Sequence, residues 1–146
     1  MNNLWYKNAV IYSVDVEAFK DSDNDGIGDF KGLKHRLHYL SSLGINCIWL
    51  LPFYDTPNKD NGYDVRDYYQ IDRRLGDFGN FVEFLDAAEE EGIRVLVDLV
   101  VNHTSDQHYW FKQARKNKDS PFRDYYIWSR TKPKDDGQHA ILGAEQ

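Results

Sequence analysis

The run Asp21-Ser-Asp23-Asn-Asp25-Gly26-Ile27-Gly28-Asp29 carries acidic side chains at positions 1, 3, 5 and 9. Gly26 stands at position 6, where a sharp turn is needed, and Ile27 offers a main-chain carbonyl at position 7. This is the oxygen spacing of a Ca²⁺ loop, because a hard cation gathers many oxygens and offsets the repulsion among carboxylates. Mg²⁺ matches less well, since it keeps more of its own water. Position 12 is Gly32, where an EF-hand places a bidentate Glu, and no EF-type helices flank the run. It therefore reads as a calcium loop of another kind. A solvated Asp/Gly turn is the alternative.

Two further stretches could bind a polar ligand. Asp60-Asn-Gly62-Tyr63-Asp64-Val-Arg66-Asp67-Tyr68-Tyr69 combines carboxylates, a Gly turn and rings. A Tyr face suits a pyranose and an Asp accepts from paired hydroxyls, although an aromatic surface loop has the same composition. Asp98-Leu-Val-Val-Asn102-His103 ends an apolar run. A carboxylate interrupting such a run is either buried with a partner or turned into a cavity. His103 taken alone reads more readily as a structural histidine than as a ligand or base.

The elements that would position these groups follow from periodicity. Ala9–Val14, Asn46–Leu51 and Arg94–Val101 are short, β-branched and nearly continuous in hydrophobicity, as strands covered on both faces of a parallel sheet are. Leu33, Leu37, Leu40 and Leu43 form one helix face, stopped by Gly44. Phe81, Phe84, Leu85 and Ala88 form a second, capped by Asp77 or Asn80. A shorter helix is expected over 106–116. The order strand, helix, strand, helix, strand gives βαβ units, and all three polar clusters then fall at the carboxyl ends of parallel strands, where α/β proteins build sites.

Composition limits the partners. Eighteen basic against 24 acidic residues give a net charge of −6, with no basic patch for a phosphate backbone, so no nucleic-acid partner is expected. No apolar run has the length of a membrane span, and no signal pattern is present, so no membrane partner is expected either. The single cysteine, Cys47, cannot form an internal disulfide, which makes the cytoplasm the expected compartment. Aromatic residues are plentiful at 15 %, which suits ring stacking somewhere. The chain has 146 residues. Three strand positions at this spacing fill only part of a closed barrel, which needs about 250 residues, and three strands alone leave long unpaired edges. The chain is thus expected to be the front part of a larger barrel.

With these residues in view, the chain resembles the α-amylase superfamily, glycoside hydrolase family 13, and within it trehalose synthases and oligo-1,6-glucosidase-like α-glucosidases. The resemblance is carried by Val10-Ile-Tyr12, Phe19 to Phe30, Ile48-Trp-Leu-Leu-Pro-Phe53, Asp60 to Val65, Asp98 to His103, and Asn102 to His108 with Tyr126-Ile-Trp-Ser129. It implies an α/β fold: the N-terminal three βα units of a (β/α)₈ TIM barrel over 1–103, and the start of an inserted domain over 104–146. It implies Ca²⁺ held by Asp21, Asp23, Asp25, the Ile27 carbonyl and Asp29. It implies that Tyr63 stacks on a glucose, Asp60 accepts from its non-reducing-end hydroxyls, His103 donates to the 6-hydroxyl, and Asp98 supports a catalytic Arg. Asn102 is kept structural.

The departures are equally specific. Asp15 and Glu17 stand where family members often have His or Pro and an Arg, and Asp23 where Asn is usual. The strand-four Arg and Asp nucleophile, the strand-five Glu acid/base and the later Asn-His-Asp motif have no counterpart in this chain. Retaining chemistry needs two carboxyl groups about 5 Å apart, so no catalytic residue is assigned and the chain alone is expected to be inactive. The expected function of the whole protein is retaining α-glucosyl hydrolysis or transfer, best matched by maltose/trehalose interconversion. Hydrolysis of α-1,4 or α-1,6 bonds, and a non-catalytic amylase-like or calcium-binding module, are the alternatives.

Overall fold

The computed structural model describes residues 4–129. The last part of the expected inserted segment, 130–146, lies outside them. A short 3₁₀ turn leads into strand β1 (Ile11–Val14), helix α1 (Val16–Phe19), α2 (Phe30–Lys34), α3 (Leu37–Ser42) and β2 (Cys47–Leu50). A small hairpin of β3 (Tyr54–Asp55) and β4 (Asp67–Ile71) follows, then α4 (Phe78–Glu90), β5 (Arg94–Val97) and α5 (Tyr109–Lys116). β1, β2 and β5 form one parallel sheet in that order, with Tyr12, Ile48 and Val95 in register. The fold is α/β, with two strand–helix–strand crossovers complete and an excursion after the third strand.

The helices cover one face of this sheet. Val14, Ile48 and Leu50 pack with Phe30, Leu33, Leu37, Leu40, Phe84 and Ala88, all nearly inaccessible. Each such Leu or Phe side chain contributes about 1.5–3 kcal/mol by leaving water. Four rings, Phe30, Phe53, Phe81 and Phe84, meet at centroid distances of 4.9–6.4 Å in the middle of this layer. The opposite face carries Ile11, Trp49 and Leu96, which are 51 %, 41 % and 38 % exposed. The expected cover on both faces is therefore present on one face only among the described residues.

Three local expectations are corrected. The Leu33–Leu43 helix is two helices, broken around His35 and Arg36, and Leu43 is exposed at its end; Gly44 does take the left-handed stop, at φ 84°. The third strand ends at Val97, not Val101. Asp98 N still donates to Leu50 O at 3.1 Å, but β2 then turns away through Pro52 and no described strand continues the ladder. The stretch after β2, read as a loop, contains the β3–β4 hairpin. The cap of α4 is as expected: Asp77 accepts from Asn80 N at 2.9 Å and Asn80 Oδ1 accepts from Asp77 N at 3.2 Å, a reciprocal box worth about 1 kcal/mol.

Candidate functional site

The 56–64 segment is built around a carboxylate that sequence reasoning passed over. Asp64 is buried and accepts from Thr56 Oγ1 at 2.8 Å, Lys59 N at 3.0 Å and Asp60 N at 3.2 Å. Its only signal was one Asp among several. Asn61 and Gly62 take left-handed backbone, at φ 48° and 88°, and a Cβ on Gly62 would fall 2.7 Å from Pro52 O. That turn returns the chain so that Asp60 and Tyr63 share one end of the sheet.

Tyr63 and Asp98 meet directly: the phenol donates to Asp98 Oδ2 at 3.0 Å. Tyr54 holds the Asp98 carbonyl, also at 3.0 Å. Burial and the Asp98 acceptor, with Asp60 and Asp15 nearby, hold the Tyr63 phenol above the ordinary tyrosine pKa. The carboxylate that interrupts the apolar run thus has a partner. Tyr63 stands outside the ring-on-ring pairs that engage most other aromatic residues among the described residues.

Asp60 and His103 line one cavity of about 1470 Å³, together with Tyr54, Tyr68, Trp110 and Tyr126. Tyr63 and Asp98 are not among its lining residues; Tyr54 connects the two places. Asp60 Oδ2 and His103 Nε2 are inaccessible and lack a hydrogen-bond partner. Asn102 Nδ2 lies 3.2 Å from His103 Nδ1. Asp60 Oδ2 and His103 Nε2 thus lie uncompensated just beneath the surface of the cavity that their residues line. Asn102 acts here as an orienting partner.

Tyr68, another residue without a sequence signal beyond aromaticity, closes the far wall. Its hydroxyl donates to Val100 O at 2.5 Å and its ring lies 6.2 Å from Trp110. Trp128 stacks on Phe111 at 5.8 Å and carries the Arg123 guanidinium 3.5 Å from its ring centre. His108 Nδ1 accepts from Trp110 N at 3.1 Å and so caps α5, while burial lowers the His108 pKa.

The acidic run closes on itself. Carboxylate oxygens of Asp21, Asp23 and Asp29 lie within 4.8 Å of one another. Asp25 is outside that group, its Oδ1 accepting from Ile27 N at 2.7 Å. The Gly26, Asn24 and Asp23 N–H groups hold Asp21 below the usual carboxylate pKa. Burial pushes Asp29 up, but Gly32 N at 2.7 Å and Ser22 N at 2.9 Å outweigh it and the net shift is downward. The three carboxylates converge, and two of them, Asp21 and Asp29, are held below the usual carboxylate range, which fits a hard cation.

A model of the α-amylase catalytic domain matches residues 11–141. The chain belongs to the α-amylase family. Among its α-amylase relatives, the trehalose synthase/amylase TreS of Mycolicibacterium smegmatis is 54 % identical over 127 residues, covering 87 % of this chain and 21 % of that protein. An oligo-1,6-glucosidase of Heyndrickxia coagulans is 50 % identical over 129 residues, covering 88 % and 23 %. The solved trehalulose synthase MutB, in complex with its substrate sucrose, superposes with a TM-score of 0.85 at 47 % identity, over 93 % of this chain and 24 % of that one. The chain spans about a seventh to a quarter of the length of the curated relatives it matches. No helix among the described residues is long and apolar enough to cross a membrane.

Proposed function

We propose that this chain supplies the sugar-recognition side of a retaining α-glucosyl hydrolase or transferase, with maltose/trehalose interconversion as the specific activity. The observation that carries this reading is that Asp60 and His103 line one cavity and each keeps a buried side-chain atom, Oδ2 and Nε2, without a partner. A buried polar group without a partner costs about 1–3 kcal/mol, and a small turn of each side chain toward the cavity would bring both atoms to hydroxyls of a glucosyl ring. Asp60 accepts from paired hydroxyls, His103 donates to the 6-hydroxyl, and Tyr63 offers its ring face to the sugar. Asp98 holds Tyr63 in place and is the carboxylate from which a catalytic Arg takes its orientation. The sucrose complex of MutB and the trehalose synthase relative support an α-glucoside as substrate.

Residues 1–103 act as the barrel part and 104–146 as the inserted part. The nucleophile and the acid/base lie outside this chain, so these 146 residues alone bind without turning over. Asp21, Asp23, Asp25, the Ile27 carbonyl and Asp29 are the residues that would hold Ca²⁺, which supplies charge compensation for the loop and no step of the chemistry. The full-length protein is to be incubated with maltose. Trehalose formation is the expected result; release of glucose without trehalose overturns the interconversion in favour of hydrolysis, and no conversion of any α-glucoside overturns the reading of the site.

A further inference from the structure

The two acidic departures, Asp15 and Glu17, lie at the start of α1, where Asp15 Oδ1 accepts from Glu17 N at 3.1 Å. Glu17 joins segments that are distant along the chain. Its carbonyl accepts from Gly28 N at 2.7 Å, and Gly28 is pinned there because a Cβ would fall 2.1 Å from Val16 O. Its carboxylate pairs with Arg74 Nη1 at 2.9 Å and accepts from Asn58 Nδ2 at 3.5 Å.

Arg74 is itself immobilised. Its Nε and Nη2 donate to both oxygens of Asp72, the shortest contact being 2.6 Å, and Asp72 is buried with its N–H on Phe53 O. The guanidinium is therefore a fixed post at the foot of the β3–β4 hairpin. Asn58 begins the turn that Asp64 closes and that presents Asp60 and Tyr63. Asn61, in the same turn, donates to Asp15 Oδ2 at 3.5 Å. Two acidic side chains on one short helix thus reach the recognition turn from the same side.

We propose that Glu17 is a positioning residue for sugar recognition: through Arg74 and Asn58 it sets the separation between α1 and the 56–64 turn, and hence the affinity for the glucosyl ring. This rests on the reading of Asp60 and Tyr63 as sugar contacts. The Glu17 and Arg74 side chains are 36 % and 33 % exposed, so their pairing adds little to global stability and its removal leaves the fold intact. An acceptor at position 17 is what Asn58 and Arg74 need, so Gln retains part of the tie and Ala none.

The test uses the full-length protein with Glu17→Ala and Glu17→Gln, read by amide hydrogen exchange over 56–64 and by steady-state kinetics on maltose. Faster exchange at Lys59 and Asp60 is expected in Glu17→Ala. KM should rise about tenfold with kcat within about twofold, and about two- to threefold in Glu17→Gln, because a displaced binding contact weakens ground state and transition state alike. Faster exchange with an unchanged KM makes Glu17 merely structural and overturns the proposal, as does a loss confined to kcat. Unchanged exchange overturns the tie by itself, whatever the kinetics. A wild-type protein that turns over no α-glucoside overturns the underlying reading of the site and the affinity claim with it, while the exchange data still judge the tie.

Discussion

Gly32 is the residue where helix propensity and tertiary packing make opposite predictions. It lies inside α2, so replacement by Ala should gain about 1 kcal/mol from propensity alone. A Cβ there would sit 1.9 Å from Lys20 O and 2.8 Å from Lys20 C, both main-chain atoms. Contacts under 3.0 Å are essentially never found for real Cβ atoms, so one segment must move by about 1 Å. Asp29 N donates to the same Lys20 O at 3.1 Å, and Gly32 N donates to Asp29 Oδ1 at 2.7 Å, so the movement also strains two hydrogen bonds at the end of the acidic loop. Overpacking costs about 1–3 kcal/mol and a weakened charge-assisted bond about 1–2 kcal/mol. Set against the propensity gain, Gly32→Ala should destabilise by about 1–4 kcal/mol. Urea unfolding followed by tryptophan fluorescence should show the midpoint fall by about 1 M at an ordinary slope. Gly79→Ala is the control: it too lies in a helix, but its Cβ would meet only Asp77 Oδ1 at 3.1 Å, and its midpoint should hold or rise. A Gly32→Ala protein as stable as wild type would refute the exclusion of a side chain by Lys20 O. It would also remove the reason why an EF-hand Glu cannot occupy that position.

Three further outcomes follow from the site. Asp98→Asn removes a negative acceptor from the Tyr63 phenol, so ultraviolet pH titration should show one tyrosine ionising at lower pH than in wild type; an unmoved titration would separate the two residues. The His108 pKa is lowered in the folded state, so the unfolded chain binds the extra proton first. His108 therefore subtracts no stability above about pH 6.5 and costs stability as pH falls below it; melting curves from pH 7.5 to 5 should flatten in His108→Asn, which keeps a capping side chain, and equal slopes would exclude the residue. Removal of Ca²⁺ by chelation should lower the melting temperature, since saturation at about a hundred times Kd contributes about 2.7 kcal/mol. The effect should vanish in Asp21→Asn combined with Asp29→Asn, and a wild-type melting curve indifferent to chelator would sink the metal assignment.

Much of the site was legible because its signals are local. Asp-x-Asp-x-Asp-Gly spacing, the Asp77/Asn80 cap and the left-handed Gly44 stop depend on neighbours within a few residues, and the structure has the cap, the stop and a convergent Asp21, Asp23 and Asp29. The strand cores were legible too, because β-branched and aromatic runs have few other uses. Their ends were not. Val97 ends β5 because β2 turns away, and nothing in Leu99-Val100-Val101 announces the loss of a partner.

By itself, then, the sequence determined which residue types are present at the strand ends and in the acidic loop, along with the α/β order that places them. Only the tertiary structure decided their partners. Asp98 bonds Tyr63 across 35 positions, Glu17 meets Arg74 across 57, and Asp64, one carboxylate among many, became the centre of the 56–64 turn. The physical reason is that a side chain's spacing is written along the chain, whereas its hydrogen-bond partner is fixed only when packing removes water and leaves one neighbour within reach. Exposure followed the same division. Hydrophobic type was plain for Ile11, Trp49 and Leu96, yet which sheet face was covered depended on where the helices lay.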